Sequence, residues 1–393
     1  MTEERKKYRI FLSAAEPSAD LHCAELIKAL KKRGDDFEFV GVGGAKMAEA
    51  GCELIENTAQ KAVMIYNAFA HILRFQQIIG RIKSYLKKNR CDIVVVCDSP
   101  AFNFHVAKAA KKAGAMTLFY VAPQLWAWAP WRINKLRKCC DKLCCILPFE
   151  QEWFRKRGVD AVFGGNPLLD GLGSELEGCK KTYDYFDISR AKIALMPGSR
   201  PAEIATLWEP MQRIIGRLRH KYPKIEVTCV AVDEERKEIL KSTQIIGFRC
   251  KYSIDSVRET AKESDFCLVA SGSATLQVAG AGCPMAVMYQ SNKVLWHLVG
   301  RWLITTKFLS LVNILAQKEL VPEFMPYFAS YEPISGTVGK MLGDKNALSA
   351  LSSELIELAK PMACQSASQN ASALILEMLE QKRDSAQTPS NQA

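Results

Sequence analysis

Ile93-Val94-Val95-Val96-Cys97, followed at once by Asp98-Ser99-Pro100, is the stretch whose reading decides the fold. Four β-branched residues and a cysteine in a row leave no polar face. Such a run reads as a strand buried on both sides, as in a parallel sheet covered by helices. Strands and helices alternate around it. Upstream, residues 8–13 are a short apolar strand. Residues 19–32 carry Leu21, Ala24, Ile27 and Leu30 at helical spacing, and Gly34 stops them. Residues 37–42 are a second strand ending in Gly43-Gly44, and residues 72–88 are a basic amphipathic helix. Downstream, residues 104–113 read as a helix, and residues 117–121 and 143–147 as strands. This rhythm implies a doubly wound parallel sheet.

The rhythm breaks over residues 171–190, which lack apolar periodicity and contain Gly171, Gly173 and Gly178. They read as a linker. The alternation restarts with strands 193–196, 225–231, 266–269 and 285–289 and helices 201–218 and 274–281. The expected organisation is an N-terminal Rossmann-like domain over 1–170, the linker, and a second Rossmann-like domain over 191–345, facing the first across a cleft. Helices over 346–384 are expected to pack back towards the first domain, and the polar tail 385–393 to be disordered. A length of 393 residues, too great for one ordinary core, agrees with two domains.

Composition narrows the function classes. With 48% apolar and 24% charged residues and a mean hydropathy of -0.06, the chain is globular. No run of about 20 apolar residues offers a membrane span. Met1-Thr2-Glu3-Glu4-Arg5-Lys6-Lys7 lacks the apolar stretch of a secretory leader. The fourteen cysteines include the adjacent pairs Cys139-Cys140 and Cys144-Cys145 and apolar-run members such as Cys97, Cys229 and Cys267. They read as reduced core residues in a cytoplasmic protein. Five scattered histidines make no metal cluster, so neither a metal nor a cofactor is expected. A net charge of +11 favours an anionic partner: nucleic acid, an acidic membrane or phosphorylated ligands. No nucleic-acid recognition motif accompanies it.

Ligands of open α/β sheets bind beyond the carboxyl ends of the strands. Pro197-Gly198-Ser199-Arg200 follows strand 193–196 and opens a helix. A helix start offers unpaired N–H groups and a positive dipole end. Gly198 admits a close oxygen, Ser199 adds a hydroxyl and Arg200 a fork for phosphate. A plain tight turn is the competing reading. Ser271-Gly272-Ser273-Ala274-Thr275 repeats the pattern after strand 266–269, and two such turns in one lobe point to a diphosphate. Neither matches a Walker motif, and Gly41-Val42-Gly43-Gly44 is not a dinucleotide fingerprint. Asp98 can act as general base on an acceptor hydroxyl, or cap the next turn. Glu16-Pro17-Ser18-Ala19-Asp20 reaches the same sheet edge, where Asp20 can also support the following helix. Trp126 and Trp128 can stack on a sugar, cover an acyl chain, or pack the core. Residues 294–303, strongly apolar, and the basic helix 72–88 can form a membrane-facing patch, or an ordinary core helix and its flank.

These motifs, with Ala62-Val63-Met64, Pro100 and Phe102-Asn103, Leu147-Pro148-Phe149-Glu150, Glu203, Cys283-Pro284-Met285 and Asn313, follow one another in a specific order. In that order the chain resembles the lipid-A-disaccharide synthase family, from its first strand to around Phe328. The resemblance implies a metal-independent, inverting glycosyltransferase of the two-Rossmann GT-B kind. It implies UDP-2,3-diacylglucosamine as donor and 2,3-diacylglucosamine 1-phosphate as acceptor. The products are then a β-1,6-linked lipid A disaccharide 1-phosphate and UDP. The implied location is peripheral, on the cytoplasmic face of the inner membrane, against anionic lipid. Asp98 is implied as base for the acceptor 6-hydroxyl and Arg200 as the cation that offsets charge on the departing diphosphate. Gly198, Ser199, Ser271, Gly272, Ser273, Ala274, Thr275, Gln277 and Asn313 are implied on the donor side. Glu16, Ser18, Asp20, Trp126 and Trp128 are implied on the acceptor side. A homodimer, a related UDP-sugar transferase or epimerase with another acceptor, and a silent binding homologue stay open. The chain departs from the family pattern at Ala15, Ala19, Ile65, Ala68 and Ala101, at Asn166 where histidine is common, and at Gln277 where glutamate is expected.

Overall fold

The computed structural model describes residues 7–34, 36–58, 68–291, 293, 296–297, 305–364 and 366–387. Ala62-Val63-Met64, Ile65, most of the apolar stretch 294–303 and the tail beyond residue 387 lie outside the described residues. The chain divides into two compact units, Met1–Asp170 with Gln365–Ala393, and Gly171–Cys364.

In the first unit, β1 (Tyr8–Ala14), β2 (Phe37–Gly43), β3 (Glu53–Asn57), β4 (Ile93–Cys97), β5 (Met116–Tyr120), β6 (Lys142–Cys145) and β7 (Ala161–Phe163) form one sheet. Its order is β3-β2-β1-β4-β5-β6-β7, and its pairings are parallel. Helices α1 (Pro17–Lys31), α2 (Ala45–Glu49), α3 (Ala68–Lys88), α4 (Pro100–Lys112), α5 (Ile133–Arg137) and α6 (Glu150–Arg155) lie in the connections. The strand order reverses between β1 and β4, where Ala14 pairs with Cys97. All five residues of β4 are buried, as its unbroken apolar run requires. Leu26, Ile27 and Leu30 of α1 belong to one core with Ile10, Leu12 and Val95. Each contributes about 1.5–3 kcal/mol by leaving water.

In the second unit, β8 (Lys192–Met196), β9 (Glu226–Ala231), β10 (Lys251–Ile254), β11 (Phe266–Ala270), β12 (Met285–Met288) and β13 (Glu323–Phe324) form a second parallel sheet, ordered β10-β9-β8-β11-β12-β13. Its helices are α7 (Pro201–Lys221), α8 (Glu234–Ser242), α9 (Val257–Glu263), α10 (Ala274–Gly280), α11 (Leu311–Ala316), α12 (Glu332–Leu342) and α13 (Lys345–Ala363). Here the order reverses between β8 and β11, where Met196 pairs with Val269. Trp208 of α7 anchors the core, its indole N–H donating to the Leu240 carbonyl at 2.9 Å.

Two expected boundaries change. Residues 171–190 are not a free linker but part of the second unit. Leu172, Leu176 and Tyr183 are buried there. The Tyr183 hydroxyl donates to the Asp265 carbonyl at 2.7 Å, and Lys181 Nζ donates to the Ala261 and Lys262 carbonyls at 2.9 and 2.7 Å. Three irregularly spaced anchors hold a segment without giving it a period. The C-terminal helices also divide. α13 belongs to the second unit, and only α14 (Ala367–Gln387) joins the first, where Leu374, Ile375, Met378 and Leu379 enter the core of α1. Among the described residues, no helix is long and apolar enough to cross a membrane.

Candidate active site

A reversal of strand order leaves adjacent loops diverging at the carboxyl ends, and ligands of such sheets bind there. In the first unit the loops at the reversal follow β1 and β4. They contain Glu16 and Asp98-Ser99. Asp98 and Ser99 both adopt left-handed backbone, φ 51° and 41°. Aspartate tolerates this region better than most residues. Pro100 opens α4 and disfavours right-handed helix at Ser99. Two consecutive left-handed residues cost of order 1–3 kcal/mol each and persist only where the surroundings over-determine them. Asn103 supplies that constraint. Fully buried, it donates through Nδ2 to the Cys97 and Asp98 carbonyls at 2.8 and 2.7 Å, and accepts from Ser13 Oγ at 2.7 Å. The Asp98 N–H donates to the Tyr120 carbonyl at 3.2 Å. The carboxylate of Asp98 is thus carried, half-buried, on a pinned turn. Ser99 Oγ donates to Glu16 Oε1 at 2.9 Å, which brings Glu16 to the same edge. Ser18 is exposed in the first turn of α1.

Asp20 and Trp126 do not join them. Asp20 is buried and accepts from the N–H groups of Gly44, Met47 and Lys46 at 2.7, 3.1 and 3.1 Å. Its expected place on the acceptor side gives way to capping α2. Trp126 is also buried. Its indole N–H donates to Glu150 Oε1 at 2.8 Å and its ring lies edge-on to Phe149. It packs the interior, whereas Trp128 stays exposed beneath the Arg132 guanidinium. Glu150 also accepts from the N–H groups of Ile146 and Leu147, both at 3.0 Å. Burial pushes its carboxyl up to about 7 against the pull of these three donors.

In the second unit the loops at the reversal are the two Gly-Ser turns. Gly198 takes φ 107°, and a Cβ there would lie 2.4 Å from Glu203 Oε2. Glu203, one turn into α7, folds back over the turn. Its Oε2 accepts from the N–H groups of Ser199 and Arg200 at 3.0 and 3.2 Å. Its Oε1 accepts from Arg200 Nη1 at 3.2 Å. The amides read from sequence as phosphate donors are therefore held by the protein's own carboxylate. What this turn offers a ligand is the Ser199 hydroxyl and the Arg200 guanidinium, whose side chain is 73% exposed. The turn after β11 is different. Among the described residues no acceptor meets the N–H groups of Gly272, Ser273 and Ala274, and a Cβ on Gly272 would meet nothing within 4 Å. Ser271 is half-buried and Ser273 exposed. Thr275 is buried and donates its hydroxyl to the Gly272 carbonyl at 2.7 Å, so it shapes the turn rather than offering a group to a ligand.

Gln277 is half-buried and makes no side-chain hydrogen bond among the described residues. Asn313 is fully buried, and its amide is used. It donates to the Val321 carbonyl and Glu323 Oε2 at 2.8 and 3.0 Å, and accepts from the Leu320 and Val321 N–H groups at 2.8 and 3.0 Å. It ties the loop before β13 and has no donor or acceptor left for a nucleotide. Sequence reasoning assigned no role to Asn103, Ser13 or Glu203. The one local signal was Glu203, third in its helix, the position from which a carboxylate reaches back to the cap.

A family model described as lipid-A-disaccharide synthetase matches residues 10–374. The lipid-A-disaccharide synthase of Geobacter metallireducens is 30% identical over 378 residues, 95% of this chain and 98% of that protein. That of Syntrophotalea carbinolica is 33% identical over 353 residues, 88% of each. Among solved structures, UDP-GlcNAc 2-epimerase from Neisseria meningitidis, bound to UDP-GlcNAc, superposes with a TM-score of 0.62 at 13% identity, covering 96% of this chain and all of that one. MurG of Acinetobacter baumannii gives 0.56 at 13%, covering 95% and 100%. At such identities the likeness is one of fold, the two-sheet GT-B architecture.

Proposed function

The chain belongs to the lipid-A-disaccharide synthase family, and from that premise we propose that it joins UDP-2,3-diacylglucosamine to 2,3-diacylglucosamine 1-phosphate. The observation that carries this reading is a division of labour between the two sheet reversals. The first bears a carboxylate, Asp98, on a pinned turn. The second bears an exposed cation, Arg200, beside three amides that meet no acceptor among the described residues.

Asp98 takes the proton from the acceptor 6-hydroxyl as that oxygen attacks the donor's anomeric carbon. The new carbon–oxygen bond forms on the face opposite the diphosphate. The old bond breaks, and UDP leaves with its electron pair. Arg200 and the amides of residues 272–274 meet the charge that grows on the diphosphate. Ser199 and Ser273 add hydroxyls, and Gln277 can hydrogen-bond a ribose hydroxyl. Glu16 and Ser18 line the acceptor's approach. Both substrates carry acyl chains, so the enzyme works peripherally, on the cytoplasmic face of the inner membrane.

Incubating the purified protein with both substrates tests the reading by the appearance of disaccharide and UDP. Asp98→Asn is expected to lower kcat by at least about 10²-fold, the scale of general-base catalysis, with donor affinity kept. Full activity in Asp98→Asn would remove the base assignment. UDP binding without product would leave only a binding protein.

A further inference from the structure

Between Asp98 and Asp141 the chain carries no aspartate or glutamate. That stretch includes the loop after β5, residues 121–132, which leaves the sheet at the same carboxyl edge as Asp98. The two are neighbours. Cys97 pairs with Tyr120, and the Asp98 N–H donates to the Tyr120 carbonyl. Adjacent strands lie about 4.8 Å apart, so the loops after β4 and β5 set out about a pyranose ring's width from each other.

This second loop is rigidly built. Val121 and Ala129 both take left-handed backbone, φ 69° and 61°. For a β-branched valine that is a true outlier, and such strain persists only where the surroundings over-determine it. Here they do. Leu125, Trp126 and Ala129 are buried, and Glu150 holds the Trp126 indole. The Ala127 N–H donates to the Gln124 carbonyl at 3.1 Å, and the Arg132 N–H to the Ala129 carbonyl at 3.0 Å. What this frame presents is Trp128, 40% exposed, with the Arg132 guanidinium 4.9 Å from its ring centre.

Arg132 is half-buried, yet among the described residues neither a carboxylate nor a carbonyl meets its guanidinium. Other arginines of this unit are spent. Arg9 meets Glu38 at 2.9 Å, Arg74 meets Glu56 at 3.6 Å, and Arg155 donates to the Ala161 carbonyl at 2.7 Å. Arg157 also stacks on an indole, that of Trp153, but gives an N–H to the Trp153 carbonyl at 2.9 Å. A guanidinium lying on an indole keeps its edge N–H groups clear, and the stack sets their direction before a ligand arrives. On a loop with no acid of its own, those donors fit a phosphate, whose oxygens can take two of them side by side.

We propose that Arg132, stacked on Trp128, binds the 1-phosphate of the acceptor and so selects phosphorylated glucosamine lipids over their unphosphorylated counterparts. This rests on the reading above of Asp98 as base for the acceptor 6-hydroxyl. Two ends of one sugar then meet two adjoining loops, the 6-hydroxyl after β4 and the phosphate after β5.

The test compares 2,3-diacylglucosamine 1-phosphate with 2,3-diacylglucosamine as acceptors. Both are dispersed in nonionic detergent, where no lipid headgroup phosphate competes. The parent should show the lower KM for the phosphorylated acceptor. Arg132→Gln should raise that KM about 10- to 100-fold, the scale of losing hydrogen bonds to a charged group. Its KM for the unphosphorylated acceptor and for the donor, and its denaturant midpoint, should match the parent. Arg132→Lys should recover part of the loss, since it restores the charge without the fork. Trp128→Leu should raise KM for both acceptors. The proposal is overturned by a parent that treats the two acceptors alike, or by an Arg132→Gln variant that keeps the parent KM or loses both acceptors equally. A parent without turnover on either acceptor would strike the enzymatic reading instead. Equilibrium binding of the two lipids to the parent and to Arg132→Gln would then judge the subsite by the same comparison.

Discussion

The turns over residues 197–200 and 271–275 lie beside each other at one reversal of strand order, and each sets Gly-Ser at the start of a helix. Over the first, Glu203 occupies the amides and holds the Arg200 guanidinium with its other oxygen. Over the second, no acceptor meets the amides of Gly272, Ser273 and Ala274 among the described residues. A single local pattern therefore serves two purposes. One turn spends its dipole on a carboxylate and presents a side-chain cation. The other keeps its dipole for an incoming anion. The choice is made three residues downstream, where α7 has Glu203 and α10 has Gln277 and no acid in its first turn.

If the cation of the first turn is its working part, Arg200→Ala should give the largest effect of any change in either turn. A loss of about 10²–10³ in kcat is expected in steady-state assays with both substrates, the scale of removing one charge-stabilising donor. A loss no greater than that of a change in the second turn would erase the distinction. Glu150 in the first unit sharpens it, since it too folds back to accept from two N–H groups just after a strand, but in full burial. Glu150→Gln puts an amide N–H₂ against donors and should cost about 1–3 kcal/mol in denaturant unfolding. The same residue sets a pH dependence. Its carboxyl ionises at about 7 when folded, against an ordinary 4.5. Between those values the folded protein holds a proton that the unfolded chain has released. Stability should then fall as pH rises through this window and level off above it, and Glu150→Gln should flatten the profile.

Glu203→Gln, in the more exposed turn, should be milder. Loss of the charge that steadies Arg200 is expected to raise the donor KM about tenfold, from about 1.5 kcal/mol. Ser273→Ala should be the smallest change, within about 0.5 kcal/mol in stability. Its effect should be a modest rise in donor KM at unchanged kcat. A larger penalty for Ser273→Ala than for Glu203→Gln would shift the weight of anion binding to the open turn.

Much of this was legible in the chain. The central strands β1, β4, β8 and β11 are buried on both faces, so their apolar runs are unbroken and their carboxyl ends lead directly to Glu16, Asp98, Pro197 and Ser271. The edge strands β3 and β10 were not legible. Each has a neighbour on one side alone, and its polar residues, Glu53 and Glu56 or Lys251 and Ser253, break the pattern. Side-chain roles fared unevenly for a related reason. A polar residue after a strand can face a ligand or close a hydrogen-bond network, and spacing does not separate the two. Asp20 and Asn313 close networks, and Asn103, without an assigned role, holds the turn that carries Asp98. Trp126 went inward because Glu150, distant in sequence, waits for its indole N–H.

The placement of α14 has a consequence for synthesis. The second unit is one unbroken length of chain, while the first borrows its last helix from the far end. As the chain leaves the ribosome, residues 171–364 can complete their core before the first unit can. Until α14 emerges, the apolar side of α1 around Leu26 and Leu30 has no cover from Leu374, Ile375 and Leu379. The half of the molecule made first is thus the half finished last, and a nascent chain halted near Cys364 would offer chaperones that bare helix face.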